Sequence, residues 1–185
     1  MRRILDLGCG PGALLRELIR DPSFTEIVGT DVATRSLTMA ARALRLDQMQ
    51  PRQRERITLR QSSVTYRDAA LRGFDAAVLM EVIEHVDLSR HEALADAVFG
   101  DARPRIVVVT TPNVEHNVRY PSLTPGNLRH GDHRFEWNRA EFAAWAAGIA
   151  GAYDYEVQHR SVGPDDPVVG PPTQMAVFTR TAVAP

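Results

Sequence analysis

The chain has 185 residues, a formal net charge of −1, and 44% hydrophobic against 24% charged residues. That length buries roughly 70% of the unfolded surface, so one domain spanning 1–185 holds together unaided. The single cysteine, Cys9, excludes a disulfide framework and a four-cysteine zinc site. No apolar run reaches membrane-spanning length, and no signal-peptide core follows the two N-terminal arginines, so a cytoplasmic protein with no membrane contact is expected.

Apolar runs alternate with amphipathic stretches along the chain. Ile4–Leu7 reads as a buried strand ending in a glycine cluster, followed by a helix over Ala13–Arg20. Strands are expected at Glu26–Thr30, Ile57–Gln61, Phe74–Met80 and Arg105–Thr110, and helices at Ser36–Leu46 and His91–Phe99. Asn113–His133 is a long irregular loop, a length that usually signals function or disorder. Asn138 starts a helix, spaced with Glu141 as a capping box. Glu156–Ser161 and Gln174–Thr179 are the last strands, joined through the glycine- and proline-rich Gly163–Pro172. This alternation predicts an α/β fold with a mostly parallel sheet covered by helices on both faces.

The segment Asp6-Leu7-Gly8-Cys9-Gly10-Pro11-Gly12 joins the first strand to the first helix. Glycines there admit positive φ and close approach of a ligand at the carboxyl end of the sheet. The loop can be forced into a dinucleotide pattern, but Asp6 would repel a pyrophosphate. It suits the ammonium of a methionine moiety instead. Asp31, at the end of the second strand, suits both hydroxyls of an adenosine ribose; taken alone it also suits a helix cap. Ser63, after the third strand, is placed to touch an adenine edge. Asp6, Gly8, Gly10 and Gly12 followed by Asp31 resemble the cofactor site of class I methyltransferases, which use S-adenosylmethionine; Ser63 is a further candidate there, against the alternative of an ordinary loop serine. Cys9 has no base partner and is expected to pack in the turn.

The fourth strand runs into Met80-Glu81-Val82-Ile83-Glu84-His85. On one turn of helix, Glu81, Glu84 and His85 would share a face. Two carboxylates and an imidazole brought together repel and desolvate one another, which a divalent cation relieves: Mg²⁺ or Mn²⁺, or a borderline ion such as iron or cobalt. His116, His130 and His133 are each candidates for a further ligand.

Glu-Val-Ile-Glu-His (81–85), Thr-Pro-Asn (111–113) and His-Gly-Asp-His-Arg-Phe-Glu-Trp (130–137) together resemble the small-RNA 3′-terminal ribose 2′-O-methyltransferases. Bacterial members of that family act in RNA repair. Glu141-Phe142 with Trp145, Ser161-Val162-Gly163 and Gln174–Phe178 extend the match over about residues 4 to 180. The resemblance implies a seven-stranded Rossmann-like fold and catalysis by Glu81, Glu84, His85 and His133. These four would hold a metal that also chelates the 2′ and 3′ oxygens of the terminal nucleotide. Such a metal acidifies a hydroxyl; zinc, for example, lowers bound water from about 15.7 to roughly 7. Only a free 3′ end offers both oxygens, so the expected substrate is RNA with a terminal 2′,3′-diol. The expected partner is a kinase–phosphatase–ligase repair protein. Class I methyltransferases usually carry a helix ahead of the first strand. Its absence before Asp6 suggests a catalytic core or C-terminal part of a longer protein.

All 22 basic residues are arginine, which fits codon bias or, through guanidinium forks, phosphate binding. Arg42, Arg45, Arg52, Arg54, Arg56 and Arg60 lie in one stretch of net charge +4, and Arg119, Arg129 and Arg134 lie in the long loop. These are the candidates for tracking an RNA backbone, against the alternative of a solvated face. Phe135 and Trp137 could stack on a terminal base or pack in the core. Three other readings compete: a class I methyltransferase for a small molecule, a truncated relic that binds cofactor or RNA without turnover, and a nicotinamide-dependent oxidoreductase that Asp6 disfavours.

Overall fold

In a computed structural model, which describes residues 2–181, seven strands form one sheet in the order β3-β2-β1-β4-β5-β7-β6. They are β1 (Arg3–Leu7), β2 (Glu26–Asp31), β3 (Ile57–Gln61), β4 (Ala76–Met80), β5 (Ile106–Pro112), β6 (Tyr155–Val162) and β7 (Thr173–Arg180). The first five pair in parallel, and β7 runs antiparallel to both β5 and β6. The mostly parallel α/β sheet expected from the sequence is the one that forms.

Side-chain alternation explains why the central strands β1, β4 and β5 are largely apolar, while the edge strands β3 and β6 are largely polar. Leu5, Leu7, Ala77, Leu79, Val107 and Val109 face one side of the sheet, against Leu94, Val98, Phe99, Phe142 and Ala146. Ile4, Ile27, Ile57 and Ala76 face the other, against Leu15, Leu18 and Leu44. At the centre of the sheet both faces are buried, so both are apolar there. Among the described residues, no helix is long and apolar enough to cross a membrane.

The helices are α1 (Ala13–Leu18), α2 (Thr34–Ala43), α3 (Pro51–Arg54), α4 (His91–Ala95) and α5 (Arg139–Tyr153). The α2 helix starts two residues before the expected Ser36. It also ends before Leu46, because Arg45 adopts φ 51° and closes the helix in a left-handed turn. The helix expected at His91–Phe99 continues past Ala95 as a wider turn to Ala102, where Arg103 at φ 45° ends it. The capping box of α5 forms as expected. Asn138 accepts from the Glu141 amide, and Glu141 accepts from the Asn138 amide, both at 2.9 Å. The expected irregular loop after Asn113 begins with a 3₁₀ segment, Val114–Arg119.

Topology relocates the arginine stretch. Chain leaving the carboxyl end of β2 descends along α2 and returns to the sheet at the amino end of β3. Arg42 to Arg56 therefore gather at the opposite edge from the glycine turn. Arg56 donates there to the carbonyls of Phe24, Ile19 and Asp21, and Arg54 to that of Ile57. Arg60 pairs with Asp68. Three of the six arginines, Arg54, Arg56 and Arg60, are thus held in structural contacts, and the position of Arg42 to Arg56 away from the glycine turn does not support their tracking phosphates into the site.

Candidate active site

The glycine turn is held by its neighbours. The amides of Gly8 and Cys9 both donate to the Thr30 carbonyl at 2.8 Å, and the Gly10 amide donates to Asp31 Oδ2 at 2.9 Å. Gly8, Gly10 and Gly12 all have positive φ. At Gly8 a Cβ would stand 2.7 Å from Val82, and at Gly12 it would press on Ala40. At Gly10 it would meet nothing within 4 Å, because that residue opens onto a cleft. Cys9 is buried, as expected for packing, and burial pushes its thiol up to about 12.

Asp6 lies beneath this turn, 2% exposed, with Oδ2 buried and unpartnered. Burial, then the nearby charge of Asp31, pushes its carboxyl up to about 7. Asp31 itself is committed to the backbone at both oxygens, since Oδ1 accepts from the Ala33 amide. Asp31 is not the helix cap: α2 begins after Ala33, which carries no side-chain cap bond, so Asp31 braces the turn ahead of the helix and lines the cleft. Ser63 lines the same cleft, its hydroxyl bonded to Thr65 Oγ1 at 3.0 Å. Arg90, which no motif singles out, donates to the same Thr65 hydroxyl at 2.9 Å.

The acidic motif does not form the single helical turn expected of it. Glu81 sits at φ 55°, a strained conformation for a non-glycine residue, and the 3₁₀ turn covers only Ile83–His85. Consecutive threonines at the end of β5 each take one glutamate. Thr110 donates to Glu81 Oε1 at 2.9 Å, and Thr111 to Glu84 Oε2 at 3.0 Å. Glu84 is fully buried, and its Oε1 has no partner. Burial, reinforced by the charge of Glu81, pushes it up to about 8. Burial also raises Glu81 and lowers His85.

One ligand atom each from Glu84, His85 and His133 lies within 4.8 Å of the other two. Glu81 stands beside this trio rather than within it. His130 is near, its ring 5.7 Å from that of His133, but it is largely exposed. His116 is occupied elsewhere, its Nδ1–H donating to the Gly170 carbonyl at 2.8 Å. Of the three histidines left open as further ligands, the fold thus joins His133 to the motif.

Both imidazoles are anchored through Nδ1. His133 donates to Glu136 Oε1 at 2.6 Å, and His85 to the Asp132 carbonyl at 3.3 Å. Nε2 is left as the free nitrogen in each. An anchored ring with a free second nitrogen is the usual arrangement of a metal-ligating histidine. Glu136 is held in turn by the Arg129 amide and by Asn117 Nδ2, both at 2.6 Å. Arg129 also reaches Asn117 Oδ1 and the Asn113 carbonyl. Arg129 is therefore a strut of the site, not a free phosphate contact. Phe135 and Trp137 pack against His91 rather than standing free for a base. Asn117 was missed because it is an ordinary polar residue in sequence; Asn113 and Glu136 stand in the motifs that carry the resemblance, but only the buried network reveals their supporting role.

The two halves share one cleft of about 540 Å³. Gly8, Gly10, Asp31 and Ser63 line one end, and Glu81, His85 and Asp132 the other. That volume is ordinary for a site holding a nucleoside-sized ligand.

Comparison with known proteins agrees with this arrangement. A methyltransferase domain model matches residues 5–102. The chain is 38% identical to the mouse small RNA 2′-O-methyltransferase, covering 97% of this chain and 46% of that protein. It therefore spans about half the length of that curated relative. The methyltransferase domain of bacterial CtHen1 superposes with a TM-score of 0.89 at 47% identity, covering 98% of this chain and 90% of the other. The small RNA methyltransferase HEN1 gives a TM-score of 0.85 at 30% identity, over 100% of this chain and 24% of that one. Fold, glycine turn and similarity agree: this chain belongs to the class I S-adenosylmethionine-dependent methyltransferases, among the small RNA 2′-O-methyltransferase (Hen1) methyltransferase domains.

Proposed function

We propose that this domain transfers the methyl group of S-adenosylmethionine to the 2′-hydroxyl of the 3′-terminal ribose of RNA, with a divalent metal, Mg²⁺ or Mn²⁺, at Glu84, His85, His133 and Glu81. The observation that carries the reading is the single cleft joining the glycine turn to the Glu84–His85 turn. Asp6 would receive the ammonium of the cofactor, Asp31 its ribose hydroxyls, and Ser63 the adenine edge. The residues fit a metal: Glu84 Oε1 is buried without a partner, and two imidazoles keep Nε2 free. Oxygen and imidazole ligands suit these ions.

When bound, the ion would chelate a vicinal diol and acidify one of its hydroxyls. The protein's own part is placement. The threonines of β5 and the Glu136 network fix the ligands, and the cleft sets the acceptor oxygen in line with the methyl group. In the transfer an oxygen–carbon bond forms and the sulfonium–carbon bond breaks. The products are S-adenosylhomocysteine, the 2′-O-methyl end and the released hydroxyl proton. Methylating the terminal 2′-oxygen removes the nucleophile that would attack a neighbouring phosphate after ligation. That chemistry suits a partner with kinase–phosphatase–ligase activity.

The test is to incubate the protein with S-adenosylmethionine, Mn²⁺ and a short RNA, then oxidise with periodate. The expected product resists oxidation, and a 3′-phosphate or 2′-deoxy end blocks transfer. Transfer that continues unchanged in EDTA would refute the metal assignment, and RNA left fully oxidisable would refute the activity.

A further inference from the structure

His91 opens α4 and is only 7% exposed. Its Nε2–H lies 3.2 Å from the Ile83 carbonyl and 3.2 Å from that of Val86. Those two carbonyls bracket Glu84 and His85. On its other sides the ring meets Phe135 and Trp137 edge-on, with centroids 5.2 and 5.4 Å away. These aromatics lie on the segment that begins with His133. One side chain thus touches both pieces of backbone from which the ligand trio is built.

The other ring nitrogen, Nδ1, is buried without a partner. A buried polar atom left unpaired is unfavourable, and phenylalanine would fill the same apolar pocket without it. Histidine supplies one thing phenylalanine lacks, a donor aimed at the ligand turn. In the short 3₁₀ turn the Ile83 carbonyl accepts one backbone bond, from the Val86 amide at 3.1 Å. His91 adds a donor to that carbonyl and reaches the Val86 carbonyl just beyond the turn, and the Arg134 amide takes the Glu84 carbonyl between them at 2.8 Å.

We infer that His91 is a positioning residue for the metal-binding turn: its Nε2–H, shared between the Ile83 and Val86 carbonyls, sets the direction of the Glu84 carboxylate and the His85 ring while its face locks the His133 segment alongside. This rests on the metal reading given above.

The experiment titrates Mn²⁺ by electron paramagnetic resonance in the full chain, alongside S-adenosylmethionine binding by calorimetry and thermal melting. His91→Phe should keep a cooperative melt and wild-type cofactor affinity while weakening Mn²⁺ by about 10- to 100-fold, the range for loss of an outer-shell support. His91→Gln, which restores a donor, should bring Mn²⁺ affinity back to within about threefold of wild type. In the wild type, nitrogen NMR should find the His91 ring protonated at Nε2 and bare at Nδ1. Wild-type Mn²⁺ affinity in a folded His91→Phe overturns the inference, as does equal loss of metal and cofactor, or a proton on Nδ1 alone. If His91→Phe fails to fold, His91→Gln decides: near-normal Mn²⁺ binding supports the role and a tenfold loss overturns it. A wild-type protein that binds no Mn²⁺ refutes the metal reading itself, and the inference falls with it. Normal wild-type binding with an indifferent His91→Phe refutes only the inference.

Discussion

Two neighbouring strands, β1 and β4, lead to carboxylates in the same unfavourable state, and the chain stabilises them by different means. Asp6 and Glu84 are both buried, both hold an oxygen with no partner, and both are pushed far above the usual carboxylate range, to about 7 and about 8. Around Asp6 the surroundings are almost all local: a glycine turn and the end of the next strand. Around Glu84 they come from four places: the turn itself, the threonines of β5, the His133 segment, and His91 beneath. A small cation with its own shape needs only an opening and a charge. A metal ion needs several donors fixed in space, and no short segment can supply them. Neither carboxylate stabilises the ligand-free fold, and such local departures from good packing mark functional sites.

The largest expected effect separates the two. Glu84→Gln keeps the shape and removes the charge. Methyl transfer should fall by at least about three orders of magnitude, and any Mn²⁺-induced rise in melting temperature should disappear. Cofactor binding by calorimetry should stay within about twofold of wild type. The metal-free protein should melt no lower, since a buried unpaired carboxylate has been replaced by a neutral group. Loss of cofactor affinity in this variant would mean that the two sites are one.

Asp6→Asn should do the converse, weakening S-adenosylmethionine by about 10- to 100-fold while leaving Mn²⁺ affinity unchanged. Its pH dependence sharpens the point. The ligand-free Asp6 carboxyl titrates at about 7, above its ordinary value of 3.8, and a cationic ligand favours the ionised form. Cofactor affinity of the wild type should therefore climb as pH rises toward 7 and level off above it. The Asn variant should show no such climb. The ligand-free fold has the opposite slope from this group: it binds a proton that the unfolded chain has released, so its contribution to stability falls between about pH 4 and 7. A flat affinity profile in the wild type would show that Asp6 does not meet the cation.

The same contrast governs what the sequence revealed. The glycine turn, Asp31 and the positions of the strands along the chain were legible because each is encoded within a few residues and a fixed period. Glu84, His85 and His133 were legible as a set only through the family resemblance; their residue types alone left three histidines open. The geometry of the motif was misjudged. A spacing of i, i+3, i+4 suggests a helix, but β4 ends in a left-handed Glu81 that no spacing rule foretells. The polar network behind His133 was invisible because Asn117, Arg129 and Glu136 acquire meaning only when buried together.

That network gives a prediction of intermediate size. Glu136→Gln keeps an oxygen near His133 Nδ1 but loses the charge that fixes the ring and holds Arg129. Mn²⁺ affinity should drop by about 10-fold, with methyl transfer falling in proportion and recovering at high Mn²⁺. Activity that stays low at saturating metal would assign Glu136 a role beyond orienting the ring.

The smallest expected effect concerns the arginines. Arg42 and Arg45 look in sequence like the start of a phosphate track, yet they sit at the edge of the sheet from which the strands depart, not where they end. A phosphate contact that mattered would steepen the loss of RNA affinity with salt by about one unit of slope for each phosphate released. Replacing both residues by alanine should therefore leave methyl transfer to a short RNA within about twofold, and its salt slope unchanged. A slope reduced by about two in the double variant would show that the RNA wraps around to the far edge. The separation between a ligand-binding rim and a structural rim would then hold for the small ligands only.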